Sequence, residues 1–179
     1  RYVAFTSSAS NLVASDTNGY YDIFIRDRQT GATARVSVDS AGNQGNADSY
    51  YTASISADGR YVAFDSYASN LVPNYTNGTI GDSYVRDRQA GVTEIVSVDS
   101  AGNLGNGQSQ CSLVNSDGRY VAFESAASNL VSGDTNGARD AFVRDRQTGV
   151  TERVSMDSGG SQGNNESNVP VISSDGRYV

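Results

Sequence analysis

The sequence contains no histidine, no tryptophan, one cysteine, one methionine and two prolines among 179 residues. Each shortage closes a route to function. Without histidine there is no ordinary general base near neutral pH. Cys111 cannot form a disulfide within the chain, and nothing beside it would activate its thiol, so it reads as a half-buried packing residue. No apolar run approaches the roughly 20 residues of a membrane-spanning helix, which argues against membrane insertion. Positive charge is also scarce: 13 basic against 20 acidic residues give a net charge of −7 and a pI near 4.4. The arginines stand singly among aspartates, so no basic stripe offers itself to nucleic acid or to anionic lipid.

What the sequence does hold is repetition. The stretch RYVAF begins at Arg1, Arg60 and Arg119, and returns as RYV at Arg177, with spacings of 59, 59 and 58 residues. A period of that length places one supersecondary unit in each repeat. The repeats are read as 1–59, 60–118 and 119–176, with 177–179 starting another, all in one domain segment, 1–179.

Within a repeat the pattern predicts four short strands and no helix. In the second copy these are Thr52–Ser56, Arg60–Ser66, Asp82–Arg86 and Val92–Val98. Asp58-Gly59 turns the first into the second, and a turn ending at Gly91 joins the third to the fourth. The strands are apolar on both faces: Tyr61 and Ala63 alternate with Val62 and Phe64, and Ile23, Phe24 and Ile25 run consecutively. Antiparallel sheets covered on both faces and repeated in tandem are what radially stacked blades provide. The expected fold is therefore all-β, a β-propeller of four-stranded antiparallel blades, present as three repeats of an incomplete ring.

The order S-x-D-G-R-Y-V-A-F, A-S-N-L-V, D-x-N-G, D-x-F-V-R-D and T-G-x-T-x-R-V-S resembles the TolB-like family of bacterial β-propeller repeats. The third copy carries SDGRYVAF at 116–123, ASNLV at 127–131, DTNG at 134–137, DAFVRD at 140–145 and TGVTERVS at 148–155. The resemblance implies four-stranded blades around a central channel in secreted, periplasmic or cell-surface proteins. There they serve as binding platforms or as accessory domains beside a catalytic one. Propellers have 4 to 8 blades, so further repeats or self-association of two copies would be needed to close the ring.

Several residues are candidates for a site. The loops DTNGYYD and DTNGARD place oxygen ligands at Asp16, Asn18 and Asp22, and at Asp134, Asn136 and Asp140, a partial match to calcium-binding loops. Turn formation by Asn-Gly and capping of loop amides or of a neighbouring blade is the competing reading. Asp27, Asp87 and Asp145, once per repeat between two arginines, are expected to accept hydrogen bonds in their turns. Arg60 and Arg119 are expected as exposed or inter-blade contacts. Asp65 and Glu124 are candidates to face a central channel, where a carboxylate pair would be the one hydrolytic device this inventory allows.

Selective function would sit where the copies differ: Ser8, Tyr67 and Ala126, then Tyr20-Tyr21, Thr79-Ile80 and Ala138-Arg139. Tyr50, Tyr51, Tyr67 and Tyr75 would make a platform for a sugar or peptide, or pack beneath long loops. The function expected is a binding or scaffolding module without catalytic activity of its own, taking a protein or carbohydrate ligand. The alternatives are a propeller domain of an extracellular hydrolase or lyase, and a repetitive building block of a surface fibre or matrix.

Overall fold

The computed structural model describes residues 1–179, apart from the side chain of Tyr51. Eleven strands form: β1 (Tyr2–Ser7), β2 (Asp22–Asp27), β3 (Thr33–Arg35), β4 (Ser49–Ile55), β5 (Tyr61–Ser66), β6 (Asp82–Asp87), β7 (Val92–Ile95), β8 (Ser109–Val114), β9 (Tyr120–Ser125), β10 (Asp140–Asp145) and β11 (Val150–Arg153). They make three antiparallel sheets in the orders β1-β2-β3, β4-β5-β6-β7 and β8-β9-β10-β11, an open set of blades with no helix.

Each blade is centred on a pair of aromatic rings opposed across its two middle strands. Phe5 faces Phe24 at 5.9 Å, Phe64 faces Tyr84 at 5.7 Å and Phe123 faces Phe142 at 5.7 Å between ring centroids. The blades meet through aliphatic side chains. Ile23, Ile25 and Val36 pack with Val62 and Phe64 in one cluster, and Ala63, Val85 and Val96 pack with Val114 and Val121 in the other. Burying one such side chain is worth about 1.5–3 kcal/mol, so the double-sided apolar pattern of β5 is explained by a blade on each face.

Two strand ends differ from expectation by more than one residue. β4 starts at Ser49, not Thr52, because a bulge between Tyr50 and Ala53 lets the strand keep pairing with β5 on both sides of the irregularity. β7 stops at Ile95, since the chain turns at Asp99, whose carboxylate gathers the amides of Ala101 and Asn103. Residues 168–179 form no ladder. That segment is instead held by Ser116 N–H donating to Ser174 O and Ser173 N–H donating to Tyr178 O.

All thirteen basic residues are arginine, and several of them build the seams. Tyr61 lies between two guanidinium groups, Arg60 of its own blade at 4.8 Å and Arg146 of the next at 4.5 Å. Arg146 also donates to Gly118 O and pairs with Glu94 across the seam. Arg88 repeats the ring and carbonyl contacts, over Tyr2 and to Gly59 O, with Ala34 in the place of Glu94. Further out, Thr93 Oγ1 donates to Val38 O (2.6 Å) and Arg86 to Asp39 O (2.8 Å); Thr151 and Arg144 do the same to Val98 O and Asp99 O.

Arg60 and Arg119 were expected as exposed or inter-blade groups, and the contact they make is within the blade. Arg60 grips Asp87 and Arg119 grips Asp145 through two-pronged hydrogen bonds, as Arg1 grips Asp27. These partners hold all three carboxyls below the usual range, Asp87 down to about 2. Each aspartate also accepts from the turn amides of Gln29, Gln89 or Gln147.

Candidate functional site

The two ends of the blades are built differently. One end has only tight turns, Asp-Gly between first and second strands and R-D-R-Q between third and fourth, and these repeat in every copy. The other end carries the long connections, residues 67–81 and 96–108 in the second blade. Binding residues concentrate on such loops when a rigid scaffold holds them.

At this loop-rich end one backbone hydrogen bond recurs across each seam. Ser49 N–H donates to Tyr21 O, Ser109 N–H to Gly81 O and Ser167 N–H to Arg139 O, at 2.7 to 2.9 Å. It brings the residue before one blade's third strand beside the first strand of the next. The side chains placed there differ from copy to copy. Tyr21, Gly81 and Arg139 occupy one position, Asp48, Gln108 and Glu166 a second, and Tyr50, Gln110 and Asn168 a third.

The first seam is aromatic. The Tyr21 and Tyr50 rings meet edge to face at 6.3 Å, and Tyr50 stacks on Tyr67 at 5.5 Å. Gly81 makes room for this stack: a Cβ there would stand 3.0 Å from the Tyr67 ring. Tyr21 is 48% exposed, whereas Tyr50 and Tyr67 are half-buried. A shallow depression of about 400 Å³ lies against Thr6, Tyr21, Asp48 and Tyr50.

The second seam is polar and continuous with the first. Gln108 Nε2 donates to Tyr67 Oη (2.5 Å) and to Gln110 Oε1 (3.0 Å), and Gln110 Nε2 donates to Glu124 Oε1 (2.8 Å). Arg139 donates to Gln108 Oε1 (2.9 Å) and lies 3.7 Å from Glu124. Stacked rings and an ordered amide, carboxylate and guanidinium chain thus form one surface. Its rings offer stacking area and its polar groups are hydrogen-bonded to one another.

Of the expected platform, Tyr50 and Tyr67 join it and Tyr51 lies outside the described residues. Tyr75 is elsewhere, its hydroxyl donating to Asp82 (2.7 Å) and Ile80 O (2.8 Å). Asp48, Gln108 and Gln110 were missed in the sequence. The signal was there, since each flanks a serine common to all copies and itself differs between them.

The acidic loops close on arginine. Arg35 lies 3.4 Å from Asp16 and 3.1 Å from Asp22, while Asn18 donates to Asp22 and Ser37 Oγ donates to its other oxygen at 2.5 Å. In the third copy Arg153 stands between Asp134 (3.3 Å) and Asp140 (3.6 Å), with Asn136 donating to Asp140. In the second copy both partners change together: Tyr75 replaces the first aspartate and Ile95 the arginine. Among the described residues no three His, Cys, Asp or Glu side chains gather in one place. The carboxylates' positive partner is the guanidinium.

No protein-family model matches the chain, and no curated protein matches it. Solved structures do. TolB from Acinetobacter baumannii superposes with a TM-score of 0.54 at 19% identity, over 98% of this chain and 33% of that one. A TolB described as putative, from Agrobacterium tumefaciens, gives 0.50 at 16% identity, over 89% and 49%. The fold is a TolB-like β-propeller. The chain spans between a third and a half of the length of these TolB structures.

Within the TolB-like fold, Asp65 and Glu124 fall at one blade position, and each is only 2% exposed. Neither faces an open channel, contrary to expectation. Both are turned into a seam, where they accept the amide of a residue with positive φ in the following segment. Asp65 accepts from Cys111 N–H (φ 58°) at 2.8 Å, and Glu124 from Val169 N–H (φ 53°) at 2.6 Å. Ser112 and Ser83 donate to the other Asp65 oxygen at 2.5 and 3.1 Å. Burial pushes this carboxyl up to about 7. Cys111 is half-buried, its thiol shifted upward by burial and by the neighbouring charges of Glu124 and Asp65.

A larger open groove of about 920 Å³ runs beside Asp99, Asn129, Arg153 and Met156. Most of its wall repeats from copy to copy, as Asp99 does in Asp39 and Asp157, so it offers little that is selective.

Proposed function

We propose that this chain forms part of a non-catalytic β-propeller module that binds a protein segment at the loop-rich end, on the surface from Tyr21 through Tyr50 and Tyr67 to Gln108 and Arg139. One observation carries this reading: side chains that differ between copies converge there, while side chains common to the copies build cores, turns and seams. A scaffold with no ligand has no need of such asymmetry. The TolB-like fold supports the reading as a platform, and the family resemblance favours a secreted, periplasmic or cell-surface setting for it. A carbohydrate ligand is the second reading, favoured by the exposed Tyr21 ring beside the Asp48 carboxylate, since aromatic faces and carboxylates suit pyranose rings and hydroxyls.

The acidic loops at Asp16 and Asp134 serve this module as ion-pair latches in preference to calcium sites. A catalytic role is disfavoured because Asp65 and Glu124 are buried and engaged.

The test is selection of a displayed random peptide library on the chain, with an oligosaccharide array as the second arm. Selected peptides should lose at least about tenfold in affinity on Tyr50→Ala or Arg139→Ala, a loss of about 1.4 kcal/mol. Binders indifferent to both changes would overturn the reading; array binding with the same sensitivity would replace protein by carbohydrate.

A further inference from the structure

The charges of the chain are divided unequally between the two ends of the blades. At the tight-turn end each aspartate of the R-D-R-Q turn has an arginine of its own, as in Arg60 with Asp87 and Arg119 with Asp145, and Arg88 and Arg146 add positive charge beside them. With the Asp-Gly aspartates included, that end is close to balance. At the loop-rich end the cations are Arg35, Arg139 and Arg153, and they are already engaged, by Asp16 and Asp22, by Glu124, and by Asp134 and Asp140. Five carboxylates there share three guanidinium groups.

Asp48 and Glu166 enlarge this excess. Among the described residues neither has an arginine partner, and both stand at one copy-specific position, just before the serines that bond across the seams, with Gln108 at the same position between them. Asp48 is half-buried and its Oδ1 accepts the Tyr21 amide at 2.8 Å; Glu166 is exposed. Seven carboxylates against three arginines leave an excess of at least four at this end, out of a net charge of −7. Arg139 does not offset Asp48 and Glu166, since it lies 3.7 Å from Glu124 and donates to Gln108. The Asp48 carboxylate is held beside the Tyr21 and Tyr50 rings, and a carboxylate next to aromatic rings suits an ammonium or guanidinium group.

We propose that the partner segment bound at the loop-rich end is basic, its lysine or arginine side chains received at Asp48 and Glu166 on either side of Gln108. This rests on the peptide-binding reading above and names the chemistry of the partner. Complementary charge at an interface steers encounter and fixes register more than it adds affinity, and the uneven placement of charge directs a basic segment to this end. An acidic segment meets repulsion at the same two positions.

Fluorescence anisotropy of a dye-labelled alternating Gly-Lys octapeptide with the 179-residue chain tests this, with an alternating Gly-Glu octapeptide as its opposite. The Gly-Lys peptide should bind and the Gly-Glu peptide should not; binding should weaken about threefold on Asp48→Asn, about threefold on Glu166→Gln and about tenfold on both together. Asp117→Asn supplies the control, because it removes the same charge from an exposed turn at the opposite end. A six-residue strand such as β9 spans about 20 Å, twice the screening length of roughly 10 Å at 0.1 M salt, so this change should leave binding unaltered. Failure of the Gly-Lys peptide to bind, equal binding of the Gly-Glu peptide, indifference to the double change, or an equal loss on Asp117→Asn would each overturn a basic partner. The peptide-binding reading fails separately: library peptides sensitive to Tyr50→Ala and Arg139→Ala but without excess lysine or arginine would leave it standing and overturn this inference alone.

Discussion

Tyr61 of one blade packs against Gly118 of the next so closely that a Cβ on that glycine would stand 1.9 Å from a carbon of the tyrosine ring. The contact explains two sequence features at once. The Asp-Gly turn needs glycine for its backbone, with φ of 80° at Gly118, and the neighbouring blade needs it for space. Tyr2 on Gly59 and Tyr120 on Gly176 repeat the relationship.

Gly118→Ala should therefore cost more than its backbone strain. Gly102 has a similar φ of 87° with nothing within 4 Å of a Cβ, so Gly102→Ala should cost about 1–3 kcal/mol from strain alone. Gly118→Ala should cost about 1–3 kcal/mol more, from forced displacement of the ring. Equal urea midpoints for the two variants would show that the seam contact contributes nothing.

Asp65 sets the pH dependence between about 4 and 7. Its folded pKa is raised to about 7 by burial in the seam, and burial raises the Asp82 and Asp134 carboxyls in the same direction. A raised carboxyl contributes stability that is full below the unfolded value and lost as pH rises through the folded one. Asp27, Asp87 and Asp145 are shifted the other way, so their contribution is complete above the unfolded value and falls away only in stronger acid. Urea midpoints should therefore decline from pH 4.5 to 7.5, and Asp65→Asn should flatten that decline. An unchanged slope in the variant would remove Asp65 as its source.

The latch at Arg35 is expected to be electrostatically closed. Arg35→Met leaves Asp16 and Asp22 without their guanidinium and should cost about 3–5 kcal/mol, the usual penalty for breaking a buried pair. The unaltered chain should melt at the same midpoint in excess Ca²⁺ and in chelator. A midpoint that rises with Ca²⁺ would reinstate the metal reading of Asp16, Asn18 and Asp22.

The second blade offers the reciprocal experiment. Tyr75→Asp alone sets a second carboxylate near Asp82, and Ile95→Arg alone adds a half-buried cation near a tyrosine. Together they recreate the pairing of the other blades. A double-mutant cycle should give a favourable coupling of about 1–3 kcal/mol, and strict additivity would show that the two positions do not meet.

Much of the architecture was legible because it depends on local chemistry that recurs. Asp-Gly turns, both-faced apolar strands and a constant period specify blades, and the Asp27, Asp87 and Asp145 turns followed from one carboxylate between two arginines. Strand ends at Ser49 and Ile95 were less legible, since a bulge and an Asp99 turn depend on how the ladder meets its neighbours. The site was half legible. Tyr67 and Arg139 stood out as copy-specific and Tyr50 as one of a tyrosine cluster, but Asp48, Gln108 and Gln110 gain meaning only when Ser49, Ser109 and Ser167 bond across the seams.

By itself the sequence determined the repeat, the strand chemistry and the absence of histidine-based chemistry, because these are properties of composition and short-range pattern. The tertiary structure alone decided which charges meet. Arg35 and Asp16, Gln108 and Tyr67, Asp65 and the Cys111 amide are 19, 41 and 46 residues apart in the chain. Whether a carboxylate meets an arginine, a hydroxyl or a backbone amide at such separations is fixed by the stacking of blades.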